Sequence, residues 1–284
     1  MSSFAIVTDS TANLPKAFIE KQGIYVLPLT WISGEKEYSG SMEGGREAYA
    51  LFYEKLRKEK HISTSMSNQR TAQKLVQKLL SEEKDILYIG LSSKLSGTFH
   101  MMERVLGYEA KKYPERKWYA VDSFAIGLGE GSLVFDAAKI RRRGEDIGAA
   151  YAWCCQRRWR LHTLFTVDDL GFLRRSGRAN AVLSTAGSVL KIKLLFSMQD
   201  GGKLRQVGKV RGRKKALQEL TTQALTGLTE PQTIYISHGD CHEDACYVAK
   251  QMEKSEFVKK IIMQPLDPVS ACHTGPNSIG IFFV

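Results

Sequence analysis

The segment ILYIGLSSKLSGTFHMMER, Ile86 to Arg104, decides the fold class. Ile86, Leu87, Tyr88 and Ile89 form an apolar run with the length and β-branched content of an interior strand, and Gly90 lets the chain leave the sheet. Beyond it, Ser96 is placed to cap a helix carrying Thr98, Phe99, Met101, Met102 and Val105. The backbone N–H groups of Gly97 and Thr98 then face the crevice at the strand ends. Strand, hydroxyl-and-glycine turn and helix make a seat for a carboxylate or phosphate. Ser92, Ser93 and Ser96 are also explained as helix caps and turn closers alone.

Outward from this segment, the first half of the chain alternates strands and helices. Ala5–Val7 precedes a helix from near Pro15, Tyr25–Leu29 precedes helices over Arg46–Lys58 and Thr71–Leu80, and Trp118–Val121 precedes a long helix from about Gly131. This rhythm predicts an α/β fold with a Rossmann-like parallel sheet covered by helices on both faces. Ligands of such sheets sit at the carboxyl ends of the strands. Those ends carry Thr8, Asp9 and Ser10, then Ser92 to Thr98, then Asp122, Ser123, Gly127, Gly129 and Gly131.

From about Leu161 the pattern changes. Strands are predicted at Leu164–Val167, Lys191–Met198, Gln206–Val210, Thr233–Ser237 and Ile279–Val284, and Asp200-Gly201-Gly202 reads as a hairpin turn. The second half is therefore expected to be a smaller α+β domain with a mixed or antiparallel sheet. The boundary is expected between Arg157 and Leu161, giving domains 1–160 and 161–284.

Composition narrows the function classes. With 43% hydrophobic and 25% charged residues over 284 positions, the chain has the make-up of a globular protein large enough for two domains. No run of ~18 apolar residues or signal-peptide pattern is evident, so a cytoplasmic protein without stable membrane insertion is expected. The five cysteines lack metal-site spacing and read as free thiols. A net charge of +11 is concentrated at Arg141–Arg143, at Arg157, Arg158 and Arg160, and between Lys209 and Lys215. No helix-turn-helix, zinc-finger or RNP pattern accompanies it, so an acidic protein partner ranks above nucleic acid.

Several apolar runs end in groups suited to an anion: Thr8-Asp9-Ser10, Ser63-Thr64-Ser65, Ser96-Gly97-Thr98, the Arg174–Arg178 loop and His273-Thr274-Gly275-Pro276. Each alone has a plain structural explanation as cap, turn or surface residue. Known catalytic patterns are missing: there is no GxxxxGK[ST] loop, no GxGxxG, no GxSxG elbow and no HExxH. No metal or organic cofactor is expected. A stand-alone enzyme on an acyl or phosphorylated substrate and a basic nucleic-acid-binding module stand as the alternative functions.

Taken in order, these segments resemble the DegV family of bacterial fatty-acid-binding proteins over nearly the whole chain. IVTDSTANLP (Ile6–Pro15) resembles the family's opening, and TSMSN (Thr64–Asn68) its TSQPS-like segment. LSSKLSGTF (Leu91–Phe99) resembles its SSGLSGTY turn and DSFAIGLGEG (Asp122–Gly131) its Asp-Ser and glycine segment. VDDLGFLRRSGR (Val167–Arg178) is similar to its LxxLxxGGR-like loop, and TGPNSIGIFF (Thr274–Phe283) to its closing strand. Met66, Ser67 and Asn68 depart from the usual Gln-Pro-Ser, Lys94, Ser176 and Asn277 from glycines, and Gly127 from a serine. Thr64, Ser96, Gly97 and His273 are retained.

The resemblance implies a carrier, not a catalyst, holding one long-chain fatty acid in a tunnel between two domains. It further implies that the bound carboxyl is presented to a separate ATP-dependent fatty acid kinase, which makes an acyl phosphate for phospholipid synthesis. By motif, Thr64, Ser96 and the backbone of Gly97 would hold the carboxylate, with His273 nearby and Arg174 at the mouth. Arg175 and Arg178 are the alternatives to Arg174. Asp9, Ser10, Ser65, Thr98 and Arg178 would support the site.

Overall fold

The computed structural model describes residues 4–42, 44–59, 62–178 and 192–284. Strands β1 (Ala5–Asp9), β2 (Ile24–Leu27), β6 (Ile86–Gly90) and β7 (Trp118–Asp122) form an all-parallel sheet in the order β2-β1-β6-β7. Alternate residues of one strand leave opposite faces. Ile6, Leu87 and Ile89 therefore pack on helices α5 (Leu128–Arg142) and α6 (Ile147–Arg157), whereas Val7, Ile86 and Tyr88 pack on α3 (Gln69–Ser81) and α4 (Thr98–Glu109). Burial on both faces is the reason the Ile86–Ile89 run is apolar at every position.

Strands β8 (His162–Thr166), β9 (Ile192–Gln199), β10 (Lys203–Arg211), β11 (Gln232–His238), β12 (Val258–Pro265) and β13 (Ile279–Phe283) build a mixed sheet in the order β10-β9-β8-β13-β11-β12. Only β11 and β12 pair in parallel. Helices α8 (Arg213–Gly227) and α9 (His242–Met252) bury Leu220 and Val248 on one face. On the other face Tyr235 and Phe282 meet Leu128 and Phe135 of α5. The Asp200-Gly201-Gly202 turn joins β9 and β10 as the sequence predicts, while Lys191 of the predicted strand lies outside the described residues.

Sequence periodicity missed a third sheet. The predicted strand Tyr25–Leu29 ends at Leu27, and the chain continues into β3 (Thr30–Ser33) and β4 (Lys36–Ser39), which join β5 (Ile62–Ser65) in an antiparallel sheet ordered β4-β3-β5. These strands have only four residues each, too short for periodicity to stand out. They are stabilised from outside. Trp31 packs on Phe52 of α2 (Gly45–Lys58) and shares one buried cluster with Leu56 of α2 and with Ala271 of α10 (Pro268–Thr274), far along the chain. Strand β12 also went unread, since its half-buried edge carries Lys259 and Lys260.

The remaining helices are α1 (Lys16–Gln22) and α7 (Leu170–Ser176). One glycine fixes how α5 meets β1. A Cβ on Gly131 would lie 2.4 Å from the Ala12 carbonyl oxygen, so the helix can pass this close to the turn after β1 only with glycine there.

Several residues of the basic clusters are internally engaged. Arg141 donates to the carbonyls of Phe4 and Gln22, Arg158 to that of Asp122, Arg157 pairs with Asp136 at 2.7 Å and Arg213 with Asp244 at 2.7 Å. Among the described residues no helix is long and apolar enough to cross a membrane.

Candidate functional site

The loops after β2, β6 and β7, strand β5 and helix α10 converge on one cavity of about 720 Å³, part of it open to solvent. Its wall is mainly apolar: Leu29, Leu91, Leu95, Ile126 and Val269 come from the first sheet's loops and α10, and Phe165, Met198 and Leu204 from the second sheet. Thr64, Ser96, Ser176, Arg178 and His273 supply polar groups.

Helix α10 is built to deliver His273. Asp267 caps it by accepting the Ser270 N–H at 2.9 Å, and Pro268 occupies the first turn, where a missing N–H costs nothing. Val269 and His273, four residues apart, then share one face and both reach the cavity. Gly275 ends the helix with φ +76°, a conformation that favours glycine, against the ring of Phe172.

Thr64, opposite Trp31 in the β3–β5 ladder, places its hydroxyl 2.8 Å from His273 Nε2. Burial, assisted by the nearby Arg178 charge, pushes the His273 imidazole down to about 4. At neutral pH the ring is therefore uncharged, and this bond ties β5 to α10 in either tautomer. The residues that link the two ends of this contact, 209 positions apart, give no local signal of their proximity.

Ser96 departs from its expected role. Gly97, not Ser96, is the N-cap of α4, and the Ser96 hydroxyl stands one residue earlier, accepting the Thr98 N–H at 3.2 Å and lying 3.0 Å from Thr98 Oγ1. The Thr98 N–H is thus already engaged, and buried Thr98 orients Ser96 instead of facing the cavity. Among the described residues the Gly97 N–H donates to no protein group. The glycine itself is exposed, and a Cβ there would meet only Met66 Sδ at 3.6 Å.

The remaining residues named from the sequence divide into wall, support and neither. Ser65 lines the cavity. Asp9 and Ser10 lie behind it: the Asp9 carboxylate accepts the Leu91 N–H at 3.1 Å and the Ser10 hydroxyl accepts the Leu29 N–H at 3.0 Å. They hold two wall residues in place. Of the three arginines, Arg178 lines the cavity and Arg174, exposed on α7, does not. Gly177 ends α7 at φ +71°, and Arg178 beyond it hydrogen-bonds back to Ser176.

Sequence reasoning missed Ser176 and a buried acid cluster behind the site. Glu130 accepts the Thr8 hydroxyl at 3.0 Å, and Thr11 Oγ1 lies 2.6 Å from Asp9 and 3.0 Å from Glu130. A lone acid inside the otherwise apolar GEGSLVF stretch was the available signal. Burial raises Asp9 and Glu130 above the usual carboxylate range and pushes Asp267 up to about 7. Among the described residues no three acids, histidines or cysteines are grouped to hold a metal ion.

The fold and the site together define a class: a mixed α/β protein enclosing an apolar cavity with hydroxyl, imidazole and guanidinium groups on its wall. A family comparison makes the assignment particular. The sequence model of the DegV family, described as uncharacterised proteins, matches residues 3–284, and the chain belongs to that family. A DegV domain-containing protein of Clostridium perfringens is 34% identical, covering 100% of this chain and 98% of its own. Among solved structures, a DegV family protein of Thermus thermophilus described for its fatty acid binding superposes with TM-score 0.87 at 26% identity, covering 99% of both chains. DegV of Bacillus subtilis, described as a fatty acid binding protein, superposes with TM-score 0.84 at 26% identity, also covering 99% of both.

Proposed function

We propose that this chain carries one long-chain fatty acid, its tail in the apolar cavity and its carboxylate at Thr64, Ser96, His273 and the Gly97 N–H. The cavity is the tunnel between a domain of residues 1–160 and one of 161–284. The observation that carries this reading is the asymmetry of the wall, leucine, isoleucine and valine over most of it and hydroxyls beside a neutral imidazole at Thr64 and His273. Burying a methylene is worth ~0.8 kcal/mol, so a sixteen-carbon tail gains on the order of 10 kcal/mol before ordering costs. Affinity comes from the tail, and the polar groups set its direction.

The reaction belongs to a partner. A separate ATP-dependent fatty acid kinase docks at the polar end, and a carboxylate oxygen bonds to the γ-phosphorus of ATP. The bond from that phosphorus to the bridging oxygen breaks, and ADP leaves with the electron pair. The carrier works in the cytoplasm, and the acyl phosphate feeds phospholipid synthesis.

Organic extraction of the purified protein followed by mass spectrometry is expected to release a long-chain fatty acid in near-stoichiometric amount. A ligand-free preparation that also takes up no added fatty acid sinks the proposal. For the kinase, the exposed Lys214 and Lys215 at the start of α8 offer charges that Arg213, held by Asp244, does not. Reversing both charges is expected to weaken complex formation by on the order of tenfold at low salt, with lipid loading unchanged. Normal complex formation would leave them as ordinary solvated charges.

A further inference from the structure

Met66 stands on the cavity wall beside the groups that meet an anion. Strand β5 ends with Thr64 and Ser65, and Asn68 caps α3 by accepting the Arg70 and Thr71 N–H groups at 2.9 and 3.3 Å. Ser67, just before the cap, is buried. Held at both ends, this short segment sets Met66 next to Gly97: a Cβ on that glycine would lie 3.6 Å from Met66 Sδ. The Gly97 N–H is a donor without a protein acceptor among the described residues.

Methionine is among the residue types most often buried. Of the described methionines Met66 alone is exposed, at 50%, while Met101, Met102, Met198 and Met252 are buried and Met42 and Met263 half-buried. A dissolved oxidant therefore reaches this sulfur ahead of the others. Oxidation turns a flexible apolar side chain into a polar one that carries an oxygen acceptor. Unlike the glutamine of the family's TSQPS-like segment, a sulfoxide has no N–H to turn toward an anion. At Met66 it competes with a carboxylate for the Gly97 N–H and sets a second negative oxygen beside it.

We propose that Met66 is an oxidation site that lowers fatty-acid affinity: a peroxide converts its thioether to the sulfoxide, whose oxygen takes the Gly97 N–H from the carboxylate. A sulfur lone pair bonds to one peroxide oxygen and the O–O bond breaks. The other oxygen leaves with the electron pair and takes up the proton of the transferred hydroxyl, giving water from hydrogen peroxide. Sulfur is oxidised by two electrons and the peroxide reduced by two. Methionine sulfoxide reductases reverse the change. The inference rests on the fatty-acid reading above and adds a control on the same site.

The test uses delipidated full-length protein treated with hydrogen peroxide, quenched with catalase and then given dithiothreitol. Dithiothreitol returns sulfenic acids and disulfides to thiols and leaves the sulfoxide in place. Peptide mass spectrometry is expected to find the first added oxygen on Met66. Calorimetric titration with palmitate is expected to show an affinity lower by roughly 10-fold, the loss of one hydrogen bond to a charged group. Methionine sulfoxide reductases, one for each epimer, are expected to restore it, which tests the same point without a substitution. Met66→Leu keeps an apolar side chain that peroxide does not oxidise, so its palmitate affinity is expected to change by less than about twofold on treatment, whatever its starting value. A first oxygen elsewhere, an unchanged affinity with Met66 oxidised, or an equal loss in Met66→Leu overturns the proposal and leaves the fatty-acid reading standing. Failure of untreated wild type to bind palmitate overturns that reading and the proposal with it.

Discussion

Thr64→Ala is expected to lower acyl phosphate formation on the bound fatty acid by about 10- to 100-fold while lowering fatty-acid retention only a few-fold. A hydrogen bond to a charged group is worth about 1.5–3 kcal/mol, and each 1.4 kcal/mol is a factor of ten. Retention is buffered because most of the affinity comes from methylenes and because water can replace the lost hydroxyl. Reaction is not buffered, since a misplacement of about 1 Å at the reacting atom can cost 100-fold. The substitution also strips His273 of its partner 2.8 Å away, loosening the second group at the same point. Ser96→Ala is expected to act in the same direction, and Thr64→Ser, which keeps the hydroxyl, to restore most of the rate. Retention is read by extraction and mass spectrometry, acyl phosphate by trapping with hydroxylamine. Equal losses in both measurements, or no loss in either, would remove Thr64 from the carboxylate site.

The second large effect is on stability against pH. Asp267 is buried and its carboxyl is pushed up to about 7, chiefly by burial, against ~3.9 in an unfolded chain. Between those values the folded protein holds a proton that the unfolded chain has lost. The resulting stabilisation is fully present below pH ~3.9 and is lost as pH rises through about 7, a change on the order of 4 kcal/mol. Asp267→Asn keeps a helix cap, because asparagine caps as well as aspartate, and removes the titration. Wild type is expected to lose stability between pH 5 and pH 8 in urea unfolding, and the variant to lose clearly less. Parallel pH profiles would show that Asp267 does not titrate in this range.

Glu130 follows the same logic through a hydroxyl. Thr11 has one proton but lies within hydrogen-bond distance of both Asp9 and Glu130, so it donates to one and must accept from the other. Burial and the adjacent Asp9 charge raise Glu130, which identifies it as the protonated partner. Glu130→Gln reproduces that pattern, its amide donating to Thr11 and its carbonyl accepting from Thr8. It is therefore expected to match wild type below pH ~4.3, where both states of wild type hold the proton, and to exceed it increasingly as pH rises above that value. This network underlies the site, since Asp9 also holds the Leu91 N–H at the cavity wall.

The local sequence carried the parallel sheet. Ile86–Ile89 could only be a doubly buried strand, and Gly90 and Ser92–Thr98 could only be the turn that follows it, because strand burial and turn chemistry depend on neighbours in the chain. Motif order then carried the family. The four-residue strands of the third sheet were not legible, because what stabilises them is a buried cluster that brings Trp31 together with Leu266, Ala271 and Cys272 from the far end of the chain. The role of Ser96 was readable only to within one residue, since Ser96 and Gly97 both satisfy the preference for an N-cap.

The sequence by itself determined the fold class, the family and the residue types able to hold an anion. Only the tertiary structure decided that Thr64 meets His273 and that Arg178 and not Arg174 reaches the cavity. The reason is the range of the forces involved. Strand and turn preferences act over a few residues, whereas the geometry of the cavity is set by packing between β5 (Ile62–Ser65), α7 (Leu170–Ser176) and α10 (Pro268–Thr274), which lie far apart along the chain.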